Sequence, residues 1–538
     1  MNSPSFSLVD EPWIEVTDGG RPAVVSLRDA LTRAHEIAGL ATANPLEMVA
    51  VLRQVLLPVY LDACGRPADR RQWLARWGAG EVPVPEVKRY LDEHRHRFDL
   101  FGAQPFAQVA DLRTAKDETR PVALLVAAAA TGNNVPLFST RTEADPVALS
   151  AAQAARSLLA TQCWDTAAIK SGAVGDPQVA GGKTTGNPTG PLGSLGVMVP
   201  IGRNLAETLL LNTPFGGQPA SDDAPQWRRA PATAGWESRS AKGLLDLLTW
   251  QSRRVRLVPE FDGDRLVVRR VVLAAGDRLQ PVPLDIEPHT AWRRVDKPKA
   301  KQQPQTPVRH VAGRQAWRGL EPMLATVAKA DPKFTSSRLI NQLHSLRPPA
   351  GSPLPDGLPS GTPVQVMTVG VVYGNQSAVV EDVLADLVPL PLAALEPSED
   401  VHVFLENVLV QAEGLRLAGN RLADEIRLAS GGESLPWDKG LRIGDALMHE
   451  LTPVVQRLLA GLQRQPERWE QAEQAWQTAA ERIALRTAEP VLCAVPPSAF
   501  LGRESKDSNR KSKDGKWTHR AATAEAAYRR AVRSVLGL

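Results

Sequence analysis

Three stretches of the chain combine residue types at spacings that could do chemistry. The first is Val364 to Asp382, VQVMTVGVVYGNQSAVVED. An apolar, β-branched run from Val364 to Val372 reads as a buried strand, and the chain turns apolar again at Ala378-Val379-Val380. Between the two arms sits a short polar tip, Tyr373-Gly374-Asn375-Gln376-Ser377. Gly-Asn is turn chemistry, because both residues tolerate positive φ. A long amide on such a tip is either an ordinary hairpin end or a probe that pushes into a partner. The second stretch is glycine-rich, Ser171 to Gly196, and contains Ala180-Gly181-Gly182-Lys183. A loop without side chains can press into a narrow groove, including a DNA minor groove about 6 Å wide, with the lysine alongside for phosphate. The competing reading is a flexible loop. The third feature is basic charge: ten Lys and Arg against four Asp and Glu from Leu501 to Leu538, and a cluster from Arg293 to Lys301. Each reads as solvated surface or as local contact with phosphates.

The enzyme readings fail on spacing. Gly182-Lys183-Thr184 invites a phosphate loop, but the glycine that motif needs five residues earlier is Pro177. His94 and His96, with Asp99 nearby, stand two apart in a stretch that reads as helical, where they point to different faces. Asp262-Gly263-Asp264 sits where a hairpin turn is expected. There is no Gly-x-Ser-x-Gly elbow and no zinc signature. The expectation is a protein that binds rather than catalyses, with no metal and no cofactor.

Composition sets the frame for these sites. The 538 residues are 43% hydrophobic and 23% charged, which is ordinary for a globular protein of two or more domains. Net charge is +4, too mild for wholesale coating of nucleic acid. Three distant cysteines, Cys64, Cys163 and Cys493, exclude a disulfide framework and fit a reducing cytosol. No run approaches the roughly 20 apolar residues of a membrane span, and the N-terminus does not read as a signal peptide. The expected location is cytoplasmic.

The elements that must position the sites follow from periodicity. Ser26 starts a helix, and Asn44 to Cys64 forms another with Met48, Leu52, Val55 and Val59 on its apolar face. Pro146 to Trp164 is an Ala-rich helix. Arg254–Glu260, Arg265–Val272 and Arg278–Val282 read as a three-stranded meander. After Pro397 the pattern changes to long amphipathic helices. Val401, Leu405, Val408, Ala412, Leu415, Leu422 and Ile426 mark the first, Leu441 to Arg464 the second, Trp469 to Ile483 the third and Ala521 to Val535 the fourth. The predicted class is α+β, a large mixed N-terminal domain over 1–394 followed by a C-terminal four-helix bundle over 395–538.

In this order the features resemble one family, CasA, the large subunit of the type I-E CRISPR surveillance complex, Cascade. The resemblance is carried by Leu8-Val9-Asp10-Glu11-Pro12-Trp13-Ile14, Pro105-Phe106-Ala107-Gln108, the loop from Asn133 to Asp145 and the glycine-rich stretch. Thr249-Trp250-Gln251, Gly374-Asn375-Gln376-Ser377-Ala378 and the terminal bundle complete it. It covers essentially the whole chain, and it is the order of the motifs that is specific.

The resemblance implies a concrete set of roles. The family's large subunit reads the short PAM beside a target in duplex DNA, mostly from the minor groove. It then splits the duplex so that guide RNA can pair. By this resemblance Ala180, Gly181, Gly182 and Lys183 form the glycine loop, and Asn375, Gln376 and Ser377 form the wedge. Arg278 stands where the family can have a lysine finger. Asn133, Asn134 and Phe138 match a loop that docks on the crRNA-bearing subunits. Some members carry a cysteine-rich metal insertion, but no cysteine lies between Pro259 and Val282, so no zinc is expected there. The family's subunit does not cut DNA, and helps recruit a helicase–nuclease after the R-loop forms. Because the minor groove carries a degenerate code, tolerance of several PAMs is expected. Two alternatives stand beside this reading: a scaffold subunit that never reads DNA, and a nucleotide hydrolase using Lys183.

Overall fold

Capping chemistry starts several helices where the sequence predicts them. Ser26 accepts from the Asp29 N–H ahead of Leu27–Thr32, and Asn44 accepts from the Glu47 N–H ahead of Pro45–Val51. The Ala-rich helix expected from Pro146 starts later, at Ala151: Leu149–Ser150 is a short strand, and Ser150 and Gln153 close a reciprocal capping box on Ala151–Trp164. A computed structural model of the protein describes residues 4–41, 43–127, 129, 147–217, 220–298, 303–325, 333–348, 356–433, 442–505, 511–512, 515–516 and 518–538. Among these residues no helix is long and apolar enough to cross a membrane.

The fold is α+β, and the chain divides into two compact units. The first comprises Met1–Arg314, Ala325–Leu358 and Val364–Leu387. It is built from several small sheets rather than one large one. Ile14–Asp18 lies between Arg21–Val25 and Ile37–Leu40. Gln365–Gly374 lies between Val197–Ile201 and Val379–Pro389. The helix Ala151–Trp164 runs through the core, where Leu158, Leu159 and Trp164 are buried with Trp13, Val49 and Val369.

Two details depart from the sequence reading. Met48, Leu52, Val55 and Val59 are all buried, but the helix they lie on is interrupted by a π turn at Leu52–Leu56, between Pro45–Val51 and Leu57–Cys64. Pro58 has no N–H to give to the preceding turn, and the Leu57 N–H reaches back to Leu52 O instead. The meander also stops at two strands. Arg253–Asp262 pairs antiparallel with Arg265–Ala275, but Arg278–Leu279 leaves that sheet and pairs parallel with Ser238–Arg239. Where the chain leaves the sheet, Gly276 sits against the Ser252–Arg253 backbone, with no room there for a Cβ.

Beside the π turn, Arg53 makes a two-pronged ion pair with Glu287 at 2.8 and 2.9 Å. Its Nη1 lies 2.6 Å from Nδ1 of the fully buried His289, whose Nε2 is 2.9 Å from Asn212 Oδ1. This geometry suits a neutral imidazole that accepts from Arg53 and donates to Asn212. Burial, reinforced by the Arg53 charge, pushes the His289 pKa well down. The unfolded chain, with an ordinary histidine pKa of about 6.5, takes up a proton that the folded state refuses. Stability contributed by a neutral His289 is therefore present above that pKa and declines as pH falls through it. In melts of wild type and His289→Gln, the wild-type advantage in Tm should narrow between pH 7.5 and pH 5.5. A constant gap would rule the histidine out as the titrating group.

The second unit comprises Gln315–Leu324, Pro359–Pro363 and Val388–Leu538. Four helices form a bundle: Asp400–Ala429, Ile443–Arg464, Trp469–Cys493 and Ala521–Leu536. All seven residues of the first predicted apolar stripe, Val401 through Ile426, are buried. Trp476 Nε1 donates to Gln411 Oε1 at 2.7 Å and the Tyr528 hydroxyl to Ala484 O at 2.7 Å, so the polar ends of buried rings are satisfied.

Candidate nucleic-acid interface

The wedge stretch is a strand, a one-turn tip and a second strand. Gln365–Gly374 pairs antiparallel with Val197–Ile201, Gln365 opposite Ile201 and Val369 opposite Val197, and its Val366 and Val369 are fully buried. The chain reverses in a single tight turn over Asn375–Ser377, where φ is 29° at Asn375, 56° at Gln376 and 60° at Ser377. Three successive residues with Cβ atoms in the left-handed region hold a conformation that ordinarily favours glycine. Asn375 and Gln376 are exposed and Ser377 is half-buried.

Both ends of the tip are pinned to the segment that leaves the helix Ala151–Trp164. The Tyr373 hydroxyl donates to Trp164 O at 2.5 Å, and the Ala167 N–H donates to Ser377 O at 2.8 Å. Burial pushes the Tyr373 pKa up, which keeps the phenol a donor.

The glycine loop is a hairpin of its own. Lys170–Ser171 pairs antiparallel with Lys183–Thr184, and Ala180 and Lys183 exchange backbone hydrogen bonds of 3.0 and 3.3 Å across Gly181-Gly182. Both glycines have positive φ, 58° and 73°, the signature of a type I′ turn. Ala180, Gly181, Gly182 and Lys183 are exposed, and a Cβ on either glycine would meet nothing within 4 Å. A close approach at the base, by contrast, does demand glycine. Gly172 N donates to Gly182 O at 2.9 Å, and a Cβ on Gly172 would lie 2.9 Å from the Gly182 carbonyl carbon.

Asp176 ties the stretch together. Its carboxylate accepts from Gln178 N, Thr184 Oγ1 and Trp236 Nε1 at 2.9, 3.3 and 3.2 Å. Arg278, expected as a finger, stacks on the Trp236 ring at 3.9 Å, and its Nη2 donates to Thr185 O at 3.0 Å. Burial, then the nearby Arg253 charge, lowers its pKa. The guanidinium thus braces the foot of the glycine hairpin. Asn133, Asn134 and Phe138 lie outside the described residues.

A buried ion cluster beneath both tips had no counterpart in the sequence reading. Asp165 follows the helix, and its carboxylate pairs with Lys170 Nζ at 2.7 Å and with Arg253 Nε. Arg253 also donates to Thr166 O at 2.9 Å and to Pro188 O at 2.7 Å. The three side chains are 8%, 6% and 1% exposed, so no solvent shares their charges. Burial alone would raise the Asp165 pKa, but the two cations outweigh it and hold the carboxyl below the ordinary range. Lys170 is five positions from Asp165 and Arg253 is 88 positions from it, so no local pattern announces the cluster. Among the described residues, no group of three or more His, Cys, Asp or Glu is placed to hold a metal ion.

Two exposed, structurally distinct tips are thus each tied to a different part of the segment Trp164 to Ser171. Comparison with known proteins agrees with the family suggested by the motifs. A curated relative, CRISPR-associated protein CasA/Cse1 of Thermus thermophilus, is 33% identical over 436 residues, covering 80% of this chain and 79% of the relative. The crystal structure of Thermobifida fusca Cse1 is 29% identical with a TM-score of 0.83, over 99% of this chain and 98% of that one. A chain from a structure described as a CRISPR RNA-guided surveillance complex shares the fold, with a TM-score of 0.65 at 18% identity, over 98% and 99% of the two chains. Residues 7–487 match the family of CRISPR-associated protein Cse1, and with them the chain belongs to that family, Cse1 or CasA.

Proposed function

We propose that this chain is the non-catalytic large subunit of a type I-E CRISPR RNA-guided complex, and that it reads the PAM in duplex DNA from the minor groove. Ala180 to Lys183 enters the groove, and Asn375, Gln376 and Ser377 then hold the first base step open so that guide RNA can pair. The crRNA-bearing subunits and a helicase–nuclease recruited after R-loop formation are the partners this role requires. The observation that carries the reading is the shared anchor. Ala167 holds the Gln376 tip, and three residues later Lys170 opens the ladder that holds Gly181-Gly182.

The tips differ in chemistry as this division of labour requires. A bare, positive-φ glycine turn lets backbone approach the groove floor. An exposed glutamine can occupy the space of a displaced base and hydrogen-bond to it. Arg278 acts in this scheme by bracing the glycine hairpin. A scaffold role alone is tested against this reading with Gly182→Asp in the assembled complex: a Cβ there meets nothing within 4 Å, and aspartate is among the non-glycine residues that best tolerate the positive φ of 73°, with a melt of the variant to check that the hairpin survives. The added carboxylate should reduce preference for PAM-bearing over PAM-less duplex roughly tenfold, the effect of about 1.4 kcal/mol. Competition binding measures it, and an unchanged preference would favour the scaffold.

A further inference from the structure

We infer that Lys170 is a positioning residue that couples the glycine hairpin to the Gln376 tip, so that engagement of the hairpin by duplex DNA sets the wedge. The inference rests on the proposed reading of the two tips and adds how one informs the other. The route is continuous and short. Lys170 stands opposite Thr184 in the hairpin ladder, one residue from Lys183 at the turn. Its ammonium reaches Asp165 at 2.7 Å. Asp165 is flanked by Trp164, whose carbonyl holds the Tyr373 hydroxyl, and by the Thr166-Ala167 pair, whose amide holds Ser377.

Arg253 closes the arrangement from the other side. It pairs with Asp165 and grips the carbonyls of Thr166 and Pro188, so the segment 165–167 is held to the Arg253–Asp262 strand. The Gly190 N–H donates to Asp165 O at 2.8 Å and brings the far end of the glycine-rich stretch to the same residue. A displacement of the hairpin therefore moves Lys170 against a carboxylate fixed on one side, and the strain falls on the backbone that holds the wedge. Buried, hydrogen-bonded ion clusters transmit such shifts because they adopt discrete arrangements rather than yielding continuously. An apolar side chain at 170 would leave the Asp165–Arg253 pair and cut the link.

The test follows duplex opening in the assembled complex, read with a fluorescent base analogue beside the PAM. It compares PAM-bearing with PAM-less linear duplex. Lys170→Met should lower the ratio of the two opening rates at least threefold, and Lys170→Arg should restore most of it. Tyr373→Phe removes only the hydroxyl that reaches Trp164 and should lower the same ratio, which keeps the test open if Lys170→Met does not assemble. A merely structural lysine would slow both duplexes alike and leave the ratio at its wild-type value. That result in both Lys170→Met and Tyr373→Phe overturns the coupling. Gln376→Ala run in parallel separates the two claims: if it opens PAM duplex like wild type, the wedge reading itself fails, whereas a Gln376→Ala defect with wild-type ratios in the other variants removes the coupling alone.

Discussion

Asp165→Ala should destabilise the protein by about 3–5 kcal/mol, the range seen when one partner of a buried ion pair is removed. The variant leaves Lys170 and Arg253 facing each other with no counter-charge, and both are almost wholly enclosed. Burial already works against the Lys170 charge, with Asp165 opposing it, so the lone ammonium would be the first to give up its proton. Asp165→Asn keeps a hydrogen-bond acceptor and should lose less. Urea denaturation of the purified chain measures both. A shift below about 1 kcal/mol for Asp165→Ala, within the range of exposed pairs, would mean that the cluster does not hold this region together.

Gln376→Ala should slow R-loop formation on linear duplex at least tenfold while leaving the fold intact. Opening a base step costs a few kcal/mol, and each 1.4 kcal/mol that the glutamine no longer supplies is a factor of ten. The side chain is exposed, so its loss removes no packing. Target DNA already opened beside the PAM should react at the wild-type rate. A second substitution separates the side chain from the backbone beneath it. Gln376→Gly relieves a left-handed residue and should raise stability by about 1 kcal/mol, yet open duplex as poorly as Gln376→Ala. If the glycine variant opens DNA normally, the turn alone does the work and the amide is dispensable.

Much of this arrangement could be read from the chain, and the reason is local. Val364 to Val380 announces two strands and a tip because β-branched residues and Gly-Asn act within a few positions of one another. The bundle is legible for the same reason, since one 3.6-residue period sorts Val401, Leu405 and Val408 onto the buried face. What stayed hidden depends on distant partners. Nothing near Arg278 tells that it leaves its predicted strand to stack on Trp236, because that ring lies more than forty residues earlier in the chain. The glycine stretch gave turn propensity but not pairing, and only the ladder to Lys170 turns it into a hairpin fixed in place. Asp165, Lys170 and Arg253 are unremarkable as letters and meet only through tertiary folding.

The positive φ values at Asn375, Gln376 and Ser377 carry a consequence for anyone who randomises this tip to change its DNA preference. The backbone filters the alphabet before any duplex does. Valine, isoleucine and threonine, crowded at Cβ, fit the left-handed region worst, whereas glycine, asparagine and aspartate enter it most easily. A library selected only for folding should therefore already be depleted of β-branched residues at all three positions. Enrichment that belongs to DNA opening has to be judged against that biased pool, not against the codons that were synthesised.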